Sequence, residues 1–333
     1  MSSTGSPFAS TAIPLTPGGE RDLLQATGQR PPSSLWADAW RRLQRNRAAV
    51  VSLIILVIII VLAVLGPWIS PYAYDEQNLM RSDQPPSGEY WLGTDRLGRD
   101  VLSRLLVGAR VSLVVAFMAQ VVIVLIGLPA GLLAGYLEGW VDNLIMRTVE
   151  VLYSIPTLLL IILIMTALRE SLDQGTGLVS GALGPVDTAT GGLLGTIIGI
   201  TLISWVVVAR LVRGQVLSLK KQEFIIAARS TGVPGLRIMS RHLLPNSLSP
   251  VIVAVTYGIP QAIFLEAGLS FIGVGVRPPM ASWGLMIAEG ARAIQSYPYL
   301  VIAPAVILAL TMICFTFLGD GLRDALDPRL THC

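Results

Sequence analysis

From Ala48 to Leu65 the chain carries one hydroxyl group, Ser52, and no charge. A helix rises about 1.5 Å per residue, so about 20 such residues cross the roughly 30 Å hydrocarbon core of a membrane. This first apolar block runs on to Ile69 and ends beyond Gly66 and Pro67, with Pro71 just outside. Five more follow, at about 107–136, 144–168, 193–212, 248–275 and 299–318. A lone helix satisfies its own backbone in lipid, and the alternation of membrane strands is absent. The expected fold is an all-α polytopic membrane protein with six transmembrane helices. Composition agrees: 53% of the 333 residues are hydrophobic and 14% charged, against about 25% charged in soluble domains.

Several function classes are set aside early. The net charge of +3 comes from basic residues flanking the apolar blocks, which points to membrane orientation rather than nucleic acid. Two cysteines (Cys314, Cys333) and two histidines (His242, His332) supply neither a disulfide framework nor a metal cluster. No Gly-x-x-x-x-Gly-Lys-[Ser/Thr] phosphate loop is present, so no ATP binding by that route is expected. Residues 1–32 lack the pattern of a secretory signal and read as a disordered tail rich in Ser, Thr, Gly and Pro.

Arg41, Arg42, Arg45 and Arg47 precede the first block. With six spans, the loop between the fourth and fifth lies on the side of both termini. It holds Lys220, Lys221, Arg229, Arg237 and Arg241, and the tail adds Arg323 and Arg329. The positive-inside rule makes that side cytoplasmic. Before the second block, Arg81, Arg96, Arg99 and Arg104 are matched by six acidic residues from Asp75 to Asp100. The stretch 175–192 is expected to be an irregular external loop.

The loop from Lys220 to Asn246 is the most informative segment. Residues 222–231 suit a helix, Gly232 suits a left-handed helix end, and Pro234 a stop or new start. A second short helix is expected over 234–243, with Pro245 marking the approach to the fifth span. Ala227 and Ala228 remove bulk, Phe224 and Ile225 present apolar surface, and Arg237 and Arg241 share a face. Two readings are open: a lever docking in a partner's groove, or an interfacial helix resting on lipid headgroups.

The spacing Ala227-Ala228, Gly232, Leu244-Pro245 resembles the EAA motif of ABC-importer permeases. Ile226 stands where that motif has Glu, with Glu223 three residues earlier, and His242 where Ile is frequent. Trp91 to Arg104, Gly108 to Leu113, Trp283 to Gly290 and Leu318 to Arg329 resemble the C-type permease of dipeptide, oligopeptide and nickel importers. The resemblance covers about residues 36–330. It implies a type I ABC importer permease fold in a bacterial inner membrane, multi-pass, with both termini cytoplasmic. It implies a loop that couples to ATPase subunits through Ala227, Ala228, Gly232, Leu244 and Pro245, with Glu223, Arg237 and Arg241 of the same loop as further coupling candidates. Implied partners are a second, B-type permease, two ATPase subunits carrying ATP and Mg, and an extracytoplasmic substrate-binding protein. The chain itself is expected to hold no cofactor and catalyse nothing.

The domain plan is a polar tail (1–47), first span and external loop (48–106), transmembrane domain (107–320) with coupling loop (219–245), and a terminal tail (321–333). Peptide import is favoured over nickel. A stand-alone carrier would need several ionisable groups at mid-membrane, and mainly Glu266 is found. Glu266 is a pathway candidate by its depth, or equally a structural hydrogen-bonding group. A membrane enzyme would need a catalytic pair or metal cluster, and none is visible. Arg147 and Glu150 are expected to pair, Gly127, Gly131 and Gly135 to permit close packing, and Pro156 and Pro260 to kink their helices.

Overall fold

A computed structural model describes residues 35–174 and 178–326. Of the expected tails, 1–47 and 321–333, residues 1–34 and 327–333 lie outside the described residues. Twelve helices are present in that range: α1 (Leu35–Arg45), α2 (Arg47–Ile69), α3 (Val101–Leu137), α4 (Gly139–Ser154), α5 (Thr157–Gln174), α6 (Leu178–Ala189), α7 (Leu193–Leu219), α8 (Glu223–Ser230), α9 (Gly235–Ile238), α10 (Leu244–Ile272), α11 (Trp283–Ala291) and α12 (Tyr299–Leu326). No extended strand occurs among the described residues, only an isolated bridge between Thr94 and Asp100.

Five helices are each long and apolar enough to cross a membrane: α2, α3, α7, α12 and α10 together with α9. The sixth expected span is present as a bent pair. Helices α4 and α5 meet at 96°, with the break at Ile155 and Pro156. Pro156 removes a backbone donor and pushes the preceding residue out of helical geometry, which accounts for the break. Pro260 lies inside α10, which runs on through it without a break.

Lipid is the solvent for much of the surface. In α2, Val51, Ile54, Val57, Ile58 and Val61 are exposed, while Ala49, Ser52, Leu56, Ile59 and Ala63 face inward. Between helices in lipid, close backbone approach replaces hydrophobic exclusion as the source of cohesion. Gly127, Gly131 and Gly135 of α3 lie against α7. A Cβ at Gly127 would come within 2.7 Å of the Trp205 carbonyl, and one at Gly131 within 2.5 Å of the Ala209 carbonyl. One at Gly135 would come within 2.8 Å of the Val216 Cβ. Packing is the function of these glycines. The main core joins Leu56, Ala116, Ala119, Ile200, Ile263, Leu269, Trp283 and Phe315 across six helices.

Two regions differ from expectation. The stretch 178–189 is the helix α6 rather than irregular. Its polar groups are absorbed locally: Thr188 and Thr190 hydroxyls donate to the Gly184 and Val186 carbonyls, and Asp187 accepts the Gly195 N–H at 2.7 Å. Both chain ends fold further than their polarity suggests. Helix α12 continues through 321–326, and α1 packs on it. Ala39, Leu43, Ala49 and Ala325 form a small buried cluster, and a Cβ at Gly321 would lie 2.4 Å from the Ala49 Cβ. Arg147 and Glu150 do pair, at 3.4 Å, but both are largely exposed and the pair contributes little.

Candidate functional site

The segment 220–244 begins where Lys220 closes the end of α3. Its ammonium donates to the Gly135 and Tyr136 carbonyls at 3.2 and 2.9 Å and to Glu138 Oε1 at 2.5 Å. A cation among the last carbonyls of a helix is favoured by their unpaired oxygens and by the helix dipole. Lys220 and Arg229 together hold the Glu138 carboxyl below the usual range, chiefly through the Lys220 hydrogen bond. Nearby, Arg213 grips Asp142 through two bonds of 2.6 Å, tying α7 to α4.

Helix α8 ends in a full Schellman motif. The Val233 N–H bonds the Ala228 carbonyl and the Gly232 N–H bonds the Arg229 carbonyl. Gly232 has φ +75°, while a Cβ there would meet nothing within 4 Å. Glycine is required by backbone conformation and not by space. Pro234 then caps α9. The expected second short helix does not stop at Leu243. A π-helical turn over Met239–Leu243 joins α9 to α10, so the loop's second arm is continuous with the fifth span. Such turns insert one residue into the ladder and recur at functional sites.

One face of the segment is fixed. Ile225, Ile238 and Leu243 are buried against Leu132, Val208, Val212, Val216 and Val251, and Leu244 packs on the same cluster. Tyr136 packs against the same cluster, its ring 5.6 Å from the Lys220 ammonium and 5.4 Å from the Arg229 guanidinium. The other face is open. Leu236 is 77% exposed, Ile226 53% and Phe224 45%. Glu223, Ala227, Gly232, Arg237, Arg241 and Pro245 are also exposed, and Ala228 is half-buried. One sequence expectation is corrected here. Ile225 belongs to the anchored face and Ile226 to the open one, because a helix turns about 100° per residue and only one of them can face inward. Leu236, the most exposed apolar side chain of the segment, was not singled out. Its place after Pro234-Gly235, beside no other exposed apolar residue in sequence, is the only signal for it.

Glu266 lies far from this segment and is fully buried. It accepts hydrogen bonds from Ser112 Oγ at 2.8 Å and Ser270 Oγ at 2.7 Å. Ser112 also accepts the Trp283 N–H at 3.4 Å. The carboxyl thus joins α3, α10 and the start of α11, the arrangement of a structural tie.

On the face opposite the 220–244 segment, two distant stretches interlock. Arg104 Nη1 contacts Asp95 at 2.5 Å and Glu289 at 2.6 Å, and Arg99 contacts the same pair at 2.7 and 3.2 Å. Arg104 and Arg99 are almost fully buried. Asp100 caps α3 by accepting the Ser103 N–H at 2.7 Å.

Residues 127–332 match the family described as binding-protein-dependent transport system inner membrane component. Residues 34–86 match the N-terminal transmembrane domain of oligopeptide transport permease C. A dipeptide transport system permease protein of Bacillus subtilis (strain 168) is 43% identical over 303 residues, covering 91% of this chain and 88% of that protein. An oligopeptide transport system permease protein of the same organism is 41% identical over 297 residues, covering 89% of this chain and 90% of that protein. In fold, the chain is similar to a chain of the MetNI methionine ABC transporter, solved in inward-facing conformations. The TM-score is 0.51 at 19% identity, over 67% of this chain and 96% of that one. The chain therefore belongs to the inner membrane components of binding-protein-dependent transport systems and has the type I importer permease fold.

Proposed function

We propose that this chain is a permease subunit of an ATP-driven importer of di- or oligopeptides, and that the 220–244 segment is where ATPase subunits grip it. The observation that carries the reading is the two-sided build of that segment. Three buried apolar side chains hold it to the bundle, while Phe224, Ile226 and Leu236 stay exposed beside Arg237, Arg241 and Glu223. Apolar side chains in a charged surround are the composition of a protein interface. ATP and Mg act on the partner subunits. Their closure is transmitted through α8 and the bend at Gly232 into α9, the π turn and α10.

The side bearing this segment is the cytoplasmic one. It gathers Lys220, Lys221, Arg229, Arg237 and Arg241 with Arg41, Arg42 and Arg45 of α1 and Arg323 near the end of α12. A second permease completes the path as a heterodimer, and a binding protein delivers cargo at the opposite face. Peptide as the cargo rests on the relatives that share about two fifths of this chain's residues.

The test is reconstitution. The chain is co-expressed with its ATPase and second permease subunits and placed in vesicles with the binding protein. Uptake of labelled dialanine that requires ATP is the expected result. Uptake by this chain with no ATPase present contradicts the proposal.

A further inference from the structure

Residues on both sides of the α4–α5 break line a cavity of about 420 Å³ with residues of α3, α7 and α10. Six polar side chains line it: Gln120, Tyr153, Thr157, Ser204, Tyr257 and Gln261. Gln120 lies near the middle of α3, Ser204 near the middle of α7, and Tyr257 and Gln261 in the central turns of α10. Tyr153 and Thr157 flank the break itself. Gln120, Ser204, Tyr257 and Gln261 are therefore at membrane depth, and no charged residue lines the space.

Two of them are already committed. Gln120 Nε2 donates to the Gly258 carbonyl at 2.9 Å, and the Tyr257 hydroxyl bonds Asp320. Gln261 is different. It is exposed in the middle of a span and has no hydrogen-bond partner among the described residues. An amide turned unpaired into hydrocarbon is strongly unfavourable, and an unpaired polar group at that depth faces water or cargo. Thr157 is also exposed, and it shares the cavity with Gln261. The Arg210 guanidinium stacks on the Tyr153 ring, 4.0 Å from its centroid, outside the lining.

We propose that this cavity is the chain's wall of the translocation path, and that it engages peptides through their backbone amides rather than their charges. The proposal rests on the import reading above and adds the surface that cargo touches. Amides and hydroxyls both donate and accept, which suits a peptide backbone of any sequence. A lining without charge neither traps nor repels side chains of either sign.

The experiment uses the assembled transporter in membrane vesicles, with Cys314→Ala and Cys333→Ala as background. Gln261→Cys is expected to react with a charged, membrane-impermeant methanethiosulfonate about tenfold faster than Val57→Cys on the apolar flank of α2, since such reagents need water to reach a thiol. In a separate variant, Gln261→Glu should slow uptake of diglutamate about tenfold relative to dialanine and leave dilysine unhindered, by like-charge repulsion. Reaction at position 261 no faster than at position 57, as expected if the amide is buried against the second permease, overturns the proposal. Equal slowing of all three dipeptides by Gln261→Glu overturns the claim of substrate contact. Fast labelling at 261 in a transporter that imports no dipeptide supports the path and overturns the peptide reading instead.

Discussion

The two polar faces of the molecule are built in opposite ways. On one, Asp95, Arg99, Arg104 and Glu289 consume one another's charge in a nearly dry cluster. On the other, Glu223, Arg237 and Arg241 have no ion-pair partner among the described residues, and the apolar side chains between them point outward. The first face pairs its charges internally, while Arg104 Nε and Nη2 find no hydrogen-bond partner among the described residues. The second is fixed on its inner side by Ile225, Ile238 and Leu243 and left incomplete on its outer side. A region that must keep its shape pairs its charges within itself, while a region that must receive a partner leaves them unpaired.

Substitutions can break or sharpen this contrast. Arg104→Met should have the largest effect on stability, because it strips Asp95 and Glu289 of the more deeply buried of their two shared cations and leaves Arg99 alone against both. Removing one partner of a buried pair costs about 3–5 kcal/mol. The melting temperature of the purified protein in detergent should fall markedly, and an unchanged value would mean the cluster is not a clamp. Gly131→Val comes next. Its Cβ would press on the Ala209 carbonyl, and overpacking of this kind costs about 1–3 kcal/mol. Looser association of α3 with α7 should appear as faster proteolysis, and wild-type resistance would argue against it.

On the open face the expectations invert. Gly232→Val introduces no clash but forces a branched residue to φ +75°, a strain of about 1–3 kcal/mol. The protein should still insert, and ATP hydrolysis should continue while uptake falls. Normal uptake in vesicles would refute the role given to the bend. Leu236→Ser should alter stability by no more than about 0.5 kcal/mol, as an exposed site does. It should nonetheless weaken retention of the ATPase subunits about tenfold, near 1.4 kcal/mol. Undiminished co-purification would separate Leu236 from the interface.

The smallest effect concerns Glu138. Its carboxyl is held below the ordinary value of about 4.3 by the Lys220 hydrogen bond. A lowered value means the tie is present above the unfolded pKa and is lost as pH falls through the folded one. Protection of the α3–α4 junction from hydrogen exchange should decline only as pH falls below the ordinary carboxylate range, and Glu138→Gln should remove that dependence. A decline centred near neutral pH would point to another group.

Much of this was legible in the sequence. The six apolar blocks are five spans and one bent pair, and Gly232 adopts the left-handed conformation its place between Thr231 and Val233 suggested. Helical phase in the short α8 was not legible, since both Ile225 and Ile226 are apolar and only packing decides which turns in. The π turn was hidden because Met239–Leu243 has ordinary helix-forming residues. The Arg104–Glu289 contact spans 185 residues, and nothing local to either residue predicts it. The cavity at the α4–α5 break escaped for the same reason: Pro156 announces a bend, but nothing local to it sets the 96° angle or brings α3, α7 and α10 beside it.

The central claim is that the open face of 220–244 meets an ATPase subunit. A photoreactive phenylalanine analogue at position 236, with another at the exposed Trp91 on the opposite face, tests it in the assembled complex. An adduct with the ATPase subunit at 236 and none at 91 is the predicted result. A complex that hydrolyses ATP and imports cargo while position 236 cross-links only lipid would contradict it.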